Sequence, residues 1–419
     1  MTSPVLSLSR RLRKSPFESR SHAGATAASV YNHVVLPTAY ASLEEDYWHL
    51  REHVQIWDVA AQVQVQIKGP DALKLAEYLT PRDLSKIVPG QCMYVPLIDE
   101  QAGIINDPII LCLAPDRFWL SISDSDVLLW VKGLAVGAGF DVEVNDPNVF
   151  PLSLQGPKSE ILLSRLIDES VADIRFFRFI ETQIAGIPLV VARTGWSGQG
   201  GFELYLSDPS EGERLWDTVV EAGADLSLRP GCPNLIDRIE TGLLSHGNDM
   251  TLDNNPIESG LDRFFKMGKA ADYLGKDALE RIVAAGCPQQ MVRLVVTGDP
   301  VRNPRETYPI RLAGSDLTGC VTSITYSPRL KCNVGMGYVP SDAGAGTGLL
   351  ICTRDTSVSI YDPVAFGWRE PIKRLTIGDV QGGAGDEEMR RQGGVVCSLV
   401  ACDESFYTGN YAGTISRWK

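Results

Sequence analysis

Two segments of the chain repeat one design, and that repeat limits the fold more than any other feature. QVQVQIKGPDALKLAEYL, Gln62 to Leu79, alternates polar and apolar residues through Ile67, breaks at Gly69 and Pro70, and continues with helical spacing. FPLSLQGPKSEILLSRLI, Phe150 to Ile167, does the same around Gly156 and Pro157. Both read as strand, turn and amphipathic helix, with proline at a helix start where its missing N–H costs little. Two copies of one supersecondary unit predict two α+β pieces of related construction, since a strand and a helix each need a partner for their apolar side. The copies are too few and too far apart for a solenoid.

Further elements fit an α+β chain. Tyr47 to Ile56 is predicted as a helix capped by Asp46, with Tyr47, Leu50 and Val54 on its buried face. AGIINDPIILCLAPDRFWLSIS reads as a hairpin that turns at Ala114 to Asp116. ETQIAGIPLVVART and GFELYLS are strands, GERLWDTVVEAGA and LIDRIETGLLSHG are helical, and from about Gln290 the text turns strand-like, predicting a small all-β domain. At 419 residues, two or three domains are expected.

The net charge of −13 argues against nucleic acid as a partner. No apolar run reaches the length of a signal or a spanning helix, so a cytoplasmic enzyme without membrane attachment is expected. Nine cysteines without a CxxC pair predict reduced, mostly buried thiols, and His49 with His53 in HLREH lacks the glutamate of a zinc helix. No metal is expected.

RTGWSGQGGFELYL, Arg193 to Leu206, has the glycine spacing of a phosphate loop at Gly195 and Gly200. Gly201 and Phe202 stand where lysine and Ser/Thr would be needed, however, and a strand follows rather than a helix. What remains is a glycine-permitted loop that presents Trp196 above a strand whose Glu203 and Tyr205 share one side. A carboxylate beside a large aromatic suits a flat heterocycle with adjacent N–H donors. A hairpin with a core tryptophan and a solvated glutamate is the other reading of these residues.

Taken in order, IKGPDALKLAEYLTPRDLSK, GQCMYVPL, GIINDPI, LQGPKS, RTGWSGQGGFELYL, DRIETGLLSHGNDM, NNPIESGLDRF and YLGKDAL resemble the tetrahydrofolate-dependent aminomethyltransferase family, to which the T-protein of glycine cleavage belongs. The likeness runs from about residue 10 to 340. The resemblance implies a three-domain disc: two α+β pieces around a central folate channel and a C-terminal β-barrel-like domain. The expected boundaries are 1–60 with 150–285 for the first folate-binding piece, 61–149 for the second, 286–352 for the barrel domain, and 353–419 for an atypical tail. It also implies tetrahydrofolate as methyl acceptor, a small-molecule substrate and, by analogy, a homodimer.

On the matching positions, the resemblance implies Asp107 as the catalytic aspartate, Tyr94, Trp196, Glu203 and Tyr205 as the folate pocket, and Tyr31, Trp196, Phe177 and Arg178 as substrate contacts. LSRRLRKSPF, SVYNH, LTPRDLSK, GIINDP and TGW look most like the branch that demethylates dimethylsulfoniopropionate, so transfer of a methyl group from that sulfonium to N5 of tetrahydrofolate is the expected reaction. Aromatic faces would hold the sulfonium, with Phe176 a further candidate. The alternatives are aminomethyl transfer, or demethylation of a methylated amine or methoxyaromatic. A non-enzymatic folate binder would carry a KGCYxGQ-type motif near YLGKDAL, which this chain lacks.

The chain departs from the family in three places. GCPNLIDRIE has Asn234 where the T-protein has an arginine, and Arg178 stands where the demethylases have an aromatic, which leaves a surface ion pair as its other reading. Beyond about Leu350 the family pattern stops, as a divergent tail or a shifted reading frame would produce. Within that tail, QGGAGDEEMRRQGG has the composition of a disordered run.

Overall fold

The computed structural model describes residues 9–296, 299–301, 307–312 and 318–341, and beyond these the backbone of short strands as far as Trp418. The run QGGAGDEEMRRQGG and the side chains of the tail from residue 353 lie outside the described residues.

The chain divides into two compact units, one made of Met1–Arg238, Thr251–Pro256 and Leu261–Glu280, the other of Ile239–Met250, Ile257–Gly260 and Arg281–Lys419. Each repeat copy forms the predicted strand and helix, Val63–Lys68 with Ala72–Tyr78 and Phe150–Gln155 with Ser159–Leu163, and both lie in the first unit. The mixed helix and sheet architecture is therefore as the repeat predicts.

One sheet of the first unit has five strands in the order Glu143–Asn145, Val63–Lys68, Arg117–Ile122, Ile109–Ala114, Gln91–Tyr94. Another has six, ordered Phe179–Ile184, Ile187–Ala192, Gly201–Leu206, Phe150–Gln155, Gln55–Asp58, Arg229–Gly231. Alternation gives each sheet two different sides. Val65, Ile67, Phe118 and Leu120 of the first sheet pack with helix residues Leu75 and Val131. Leu152, Leu154, Phe202 and Leu204 of the second pack with Leu162 and Trp216. The opposite sides meet each other, Cys92, Leu111 and Trp119 against Phe179, Val190, Ala192 and Tyr205. Glu203, two residues from Tyr205 on one strand, therefore points into the space between the sheets.

One predicted element is displaced. The helix spans Leu43–Glu52, and Gln55–Asp58 is a strand instead of the helix end. Ser42 is the cap, its hydroxyl oxygen accepting from Glu45 N at 3.1 Å, while Asp46 accepts from Tyr40 N at 2.9 Å. The cap signal belongs to the serine because Asp46 is already used one turn inside the helix.

In the second unit, Gln289–Val296, Cys332–Pro340, Thr318–Ser327, Tyr308–Leu312 and Leu349–Ile351 form an antiparallel sheet in that order, over a core that includes Val292, Leu294, Val321 and Ile324. Asp249 accepts from the hydroxyls of Thr322 at 2.7 Å and Ser323 at 2.6 Å, which fastens the loop before it to this sheet.

Candidate active site

Glu203 lies on an inner strand, paired with Ser153 on one side and Ala192 on the other. These small neighbours leave the carboxylate without bulky cross-strand partners. It is 3 % exposed, and its Oε2 accepts from Thr194 Oγ1 at 2.5 Å and from the Tyr205 hydroxyl at 3.1 Å. Burial raises the carboxyl pKa, and hydrogen bonds from Thr194, Tyr205 and Gln62 oppose that rise. Tyr205 is itself fully buried, and its hydroxyl is pushed well above the ordinary phenol range by burial and by Glu203, so it stays a donor.

The glycines of the preceding loop have a steric purpose. Gly195 has φ +156°, and a Cβ there would overlap the Gln155 amide. A Cβ on Gly201 would overlap the Leu154 carbonyl oxygen and the same amide. Gln155, held to Ser153 Oγ at 2.9 Å and accepting from Ser197 Oγ at 2.6 Å, thus packs directly against the loop backbone. Asp237 fixes the loop's far side, accepting from Gly198 N at 2.8 Å and Gln199 Nε2 at 2.6 Å. Asn234, at the position of the family arginine, caps the helix that carries Asp237, its Oδ1 accepting from Ile236 N at 3.0 Å. The Arg238 guanidinium stacks over the Trp196 ring at 5.8 Å, so a protein cation already uses one aromatic surface of the loop.

Asp107 is partly exposed, and its Oδ2 accepts from the Tyr94 hydroxyl at 2.7 Å. Burial first, and Asp107 second, push that hydroxyl well above its usual pKa. Tyr94 also packs against Phe264 at 4.6 Å between centroids, and its carbonyl accepts from Arg82 at 2.6 Å.

Phe177 packs into the cluster between the sheets with φ +59°, an uncommon backbone for a bulky residue. Phe176, in edge contact with it at 4.6 Å, is 72 % exposed. Arg178 pairs through its backbone with Gln91, next to Cys92, whose thiol it acts on electrostatically. Among the described residues no carboxylate lies within ion-pair distance of Arg178. Tyr31 ends the strand Ala27–Tyr31, and the turn after it is bonded to Ala61, Ile122, Asp124 and Ser125.

The structure thus joins Tyr94 with Asp107, and Glu203 with Tyr205, directly. Gln62, which touches Glu203, follows Ala61, whose carbonyl holds the turn after Tyr31. Thr194, Gln62, Gln64 and Asp237 carry no signal in the sequence, because each is an ordinary polar residue until the fold brings its partner near.

Two buried oxygens, Oε1 of Gln62 and Oε1 of Gln64, have no hydrogen-bond partner among the described residues. Gln64 Nε2 donates to the Gln62 carbonyl at 2.8 Å and to Ser121 Oγ at 3.2 Å, and turning the amide over would oppose its oxygen to that carbonyl. An acceptor orphaned beside a buried carboxylate, as that of Gln62 is beside Glu203, fits a group with several N–H donors, as a reduced pterin has. The histidines of HLREH are used by the protein: His49 Nε2 meets the Ser227 carbonyl at 2.8 Å and His53 meets Lys158 Nζ at 2.9 Å. Of the six described cysteines, four are buried, while Cys352, Cys397 and Cys402 lie outside the described side chains. Elsewhere on the first unit, a cleft of about 530 Å³ is lined by Arg117, Trp119, Glu181 and Ser207, among others, and by none of the predicted site residues.

Residues 17–269 match the family described as the GCVT N-terminal domain, and residues 289–361 the glycine cleavage T-protein C-terminal barrel domain. The dimethylsulfoniopropionate demethylase DmdA of Ruegeria pomeroyi is 45 % identical over 349 residues, 83 % of this chain and 95 % of that protein. An aminomethyltransferase of Halothermothrix orenii is 31 % identical over 330 residues, 77 % of this chain and 91 % of that one. The crystal structure of the glycine cleavage system aminomethyltransferase T from Bartonella henselae superposes with a TM-score of 0.74 at 24 % identity, covering 83 % of this chain and 95 % of that one, a likeness of fold.

Proposed function

Because the chain belongs to the glycine cleavage T-protein family, we propose that it transfers a methyl group from dimethylsulfoniopropionate to N5 of tetrahydrofolate. The products are 3-(methylthio)propanoate and 5-methyltetrahydrofolate. One observation carries the site assignment: two acids, each held by a tyrosine hydroxyl, Asp107 by Tyr94 and Glu203 by Tyr205. When bound, tetrahydrofolate supplies the N5 lone pair. The C–S bond would break with its electron pair going to sulfur, leaving a neutral thioether, and N5 would gain the methyl group and release its proton to solvent.

Glu203, with the orphaned oxygen of Gln62 near it, receives the N–H groups at one edge of the pterin. Asp107 faces the reacting centre and favours the charge that develops on N5; a fixed carboxylate does this without reorganising as the charge moves. Alignment is the larger part of the task, because a sulfonium is already a good leaving group. Trp196, Tyr31 and Phe177 offer aromatic surface to the sulfonium, each contact being worth about 0.5 to 2 kcal/mol. Arg178, with no carboxylate partner among the described residues, receives the substrate's carboxylate. The buried thiols of Cys92, Cys112 and Cys232 suit a reducing, cytoplasmic setting.

Purified protein incubated with tetrahydrofolate and dimethylsulfoniopropionate is expected to form 5-methyltetrahydrofolate without a lipoylated carrier protein. Methylation from a methylated amine or a methoxyaromatic, and none from the sulfonium, would reassign the donor.

A further inference from the structure

Two buried asparagines grip one two-residue turn from opposite sides. Asn106 Nδ2 donates to the Asp124 carbonyl at 2.8 Å and to Ser125 Oγ at 3.2 Å, and its Oδ1 accepts from Asp107 N at 2.9 Å. Asn32 Oδ1 accepts from Ser125 N at 2.9 Å, its backbone N donates to Asp124 Oδ1 at 3.1 Å, and its Nδ2 donates to the carbonyls of Ala61 and Ile122, both at 2.9 Å. Asn106 adjoins Asp107, and Asn32 adjoins Tyr31. Both amide orientations are fixed, since each oxygen faces an N–H and each nitrogen faces a carbonyl.

The backbone is strained where the grips meet. Asn32 has φ +43°, His33 φ +63° and Ser125 φ +153°. Residues in sparsely populated conformations persist only when their surroundings over-determine them, and here they lie on the path between two candidate site residues. A turn with no positional duty would need neither the strain nor two buried amides.

We infer that Asn106 is a positioning residue which, through the Asp124–Ser125 turn and Asn32, sets Tyr31 relative to Asp107 and so governs how tightly the methyl donor is held. The inference rests on the proposed reaction only for its kinetic arm. In Asn106→Asp a carboxylate oxygen opposes the Asp124 carbonyl, and the grip on the turn is lost while the volume is kept.

The KM for the sulfonium is expected to rise about tenfold with the KM for tetrahydrofolate unchanged, a split that simple loss of folded protein does not produce. Asn32→Asp should move the same constant, and the double variant should fall short of the product of the two, because both act on one turn. In the absence of any substrate, hydrogen exchange at the amides of Asn32 and Ser125 should speed up in Asn106→Asp. Should that variant fail to fold, Asn106→Ala removes the donor without adding charge and is expected to give the same exchange pattern.

Unchanged exchange at Asn32 and Ser125, or equal rises in both KM values, overturns the inference. If the wild-type protein forms no product from the sulfonium, the proposed reaction falls instead, and the exchange measurement alone decides the clamp.

Discussion

The Tyr94 hydroxyl donates to Oδ2 of Asp107 across 2.7 Å, and the first residue lies on a strand of a sheet while the second directly follows another strand. Burial keeps Tyr94 protonated far above neutral pH, so the bond runs from tyrosine to carboxylate and holds one carboxylate oxygen in place. Tyr94→Phe is expected to lower kcat about tenfold with little change in folate affinity, and Asp107→Ala to lower it further. Single-turnover rates with folate binding measured in parallel would check this; unchanged turnover in Asp107→Ala would remove that residue from the mechanism.

Glu203 gives the site a pH dependence with a definite sign. Its folded-state pKa lies above the unfolded value because burial disfavours the charge. The native state therefore binds more protons between those two values, and stability falls as pH rises through that window. Relative to wild type, Glu203→Gln should gain stability as pH rises from about 4.5, as urea titrations at several pH values would record. Folate binding should show the reverse trend in wild type, tightening as Glu203 ionises, and should be weak and nearly flat with pH in Glu203→Gln.

These two acids mark how far the sequence could be read. Period-two alternation put Glu203 and Tyr205 on one side of a strand, and their hydrogen bond of 3.1 Å agrees with it. The repeated strand–Gly–Pro–helix units were legible because glycine, proline and periodicity act locally. By contrast, the strand Gln55–Asp58 was hidden in the apparent tail of a helix, since four buried residues have no period of their own. The bonds of Asn32 to Asp124 and Ser125 span about ninety positions, and nothing local in SVYNH or NDP announces them. Arg238 over Trp196 was equally invisible, although both residues stood in quoted motifs.

The proposed contact of Arg178 with the substrate's carboxylate can be tested apart from recognition of the sulfonium. Arg178→Met keeps most of the side chain's apolar stem and removes the charge. It should raise the KM for dimethylsulfoniopropionate about tenfold or more, as expected when a charge-assisted hydrogen bond is lost. A methyl donor with a sulfonium but no carboxylate, such as trimethylsulfonium, should be used equally by both proteins. If the variant loses activity toward both donors alike, the guanidinium has a structural duty beside Phe177 rather than a place in substrate binding.

Glycine substitutions can separate steric need from chain flexibility. At Gly201 a methyl group would meet the Leu154 carbonyl oxygen and the Gln155 amide, neither of which can withdraw without breaking sheet pairing or the Ser197 contact. Gly201→Ala should therefore destabilise by about 1 to 3 kcal/mol, as overpacking does. Gly137, inside the helix Val127–Ala138, has open space where a Cβ would stand. Gly137→Ala should stabilise by about 0.5 to 1 kcal/mol through helix propensity and a less flexible unfolded chain. Denaturant unfolding of the two variants would compare them, and equal effects at both positions would mean that the loop before Glu203 tolerates a side chain, so that the close approach of Gln155 does not shape this part of the site.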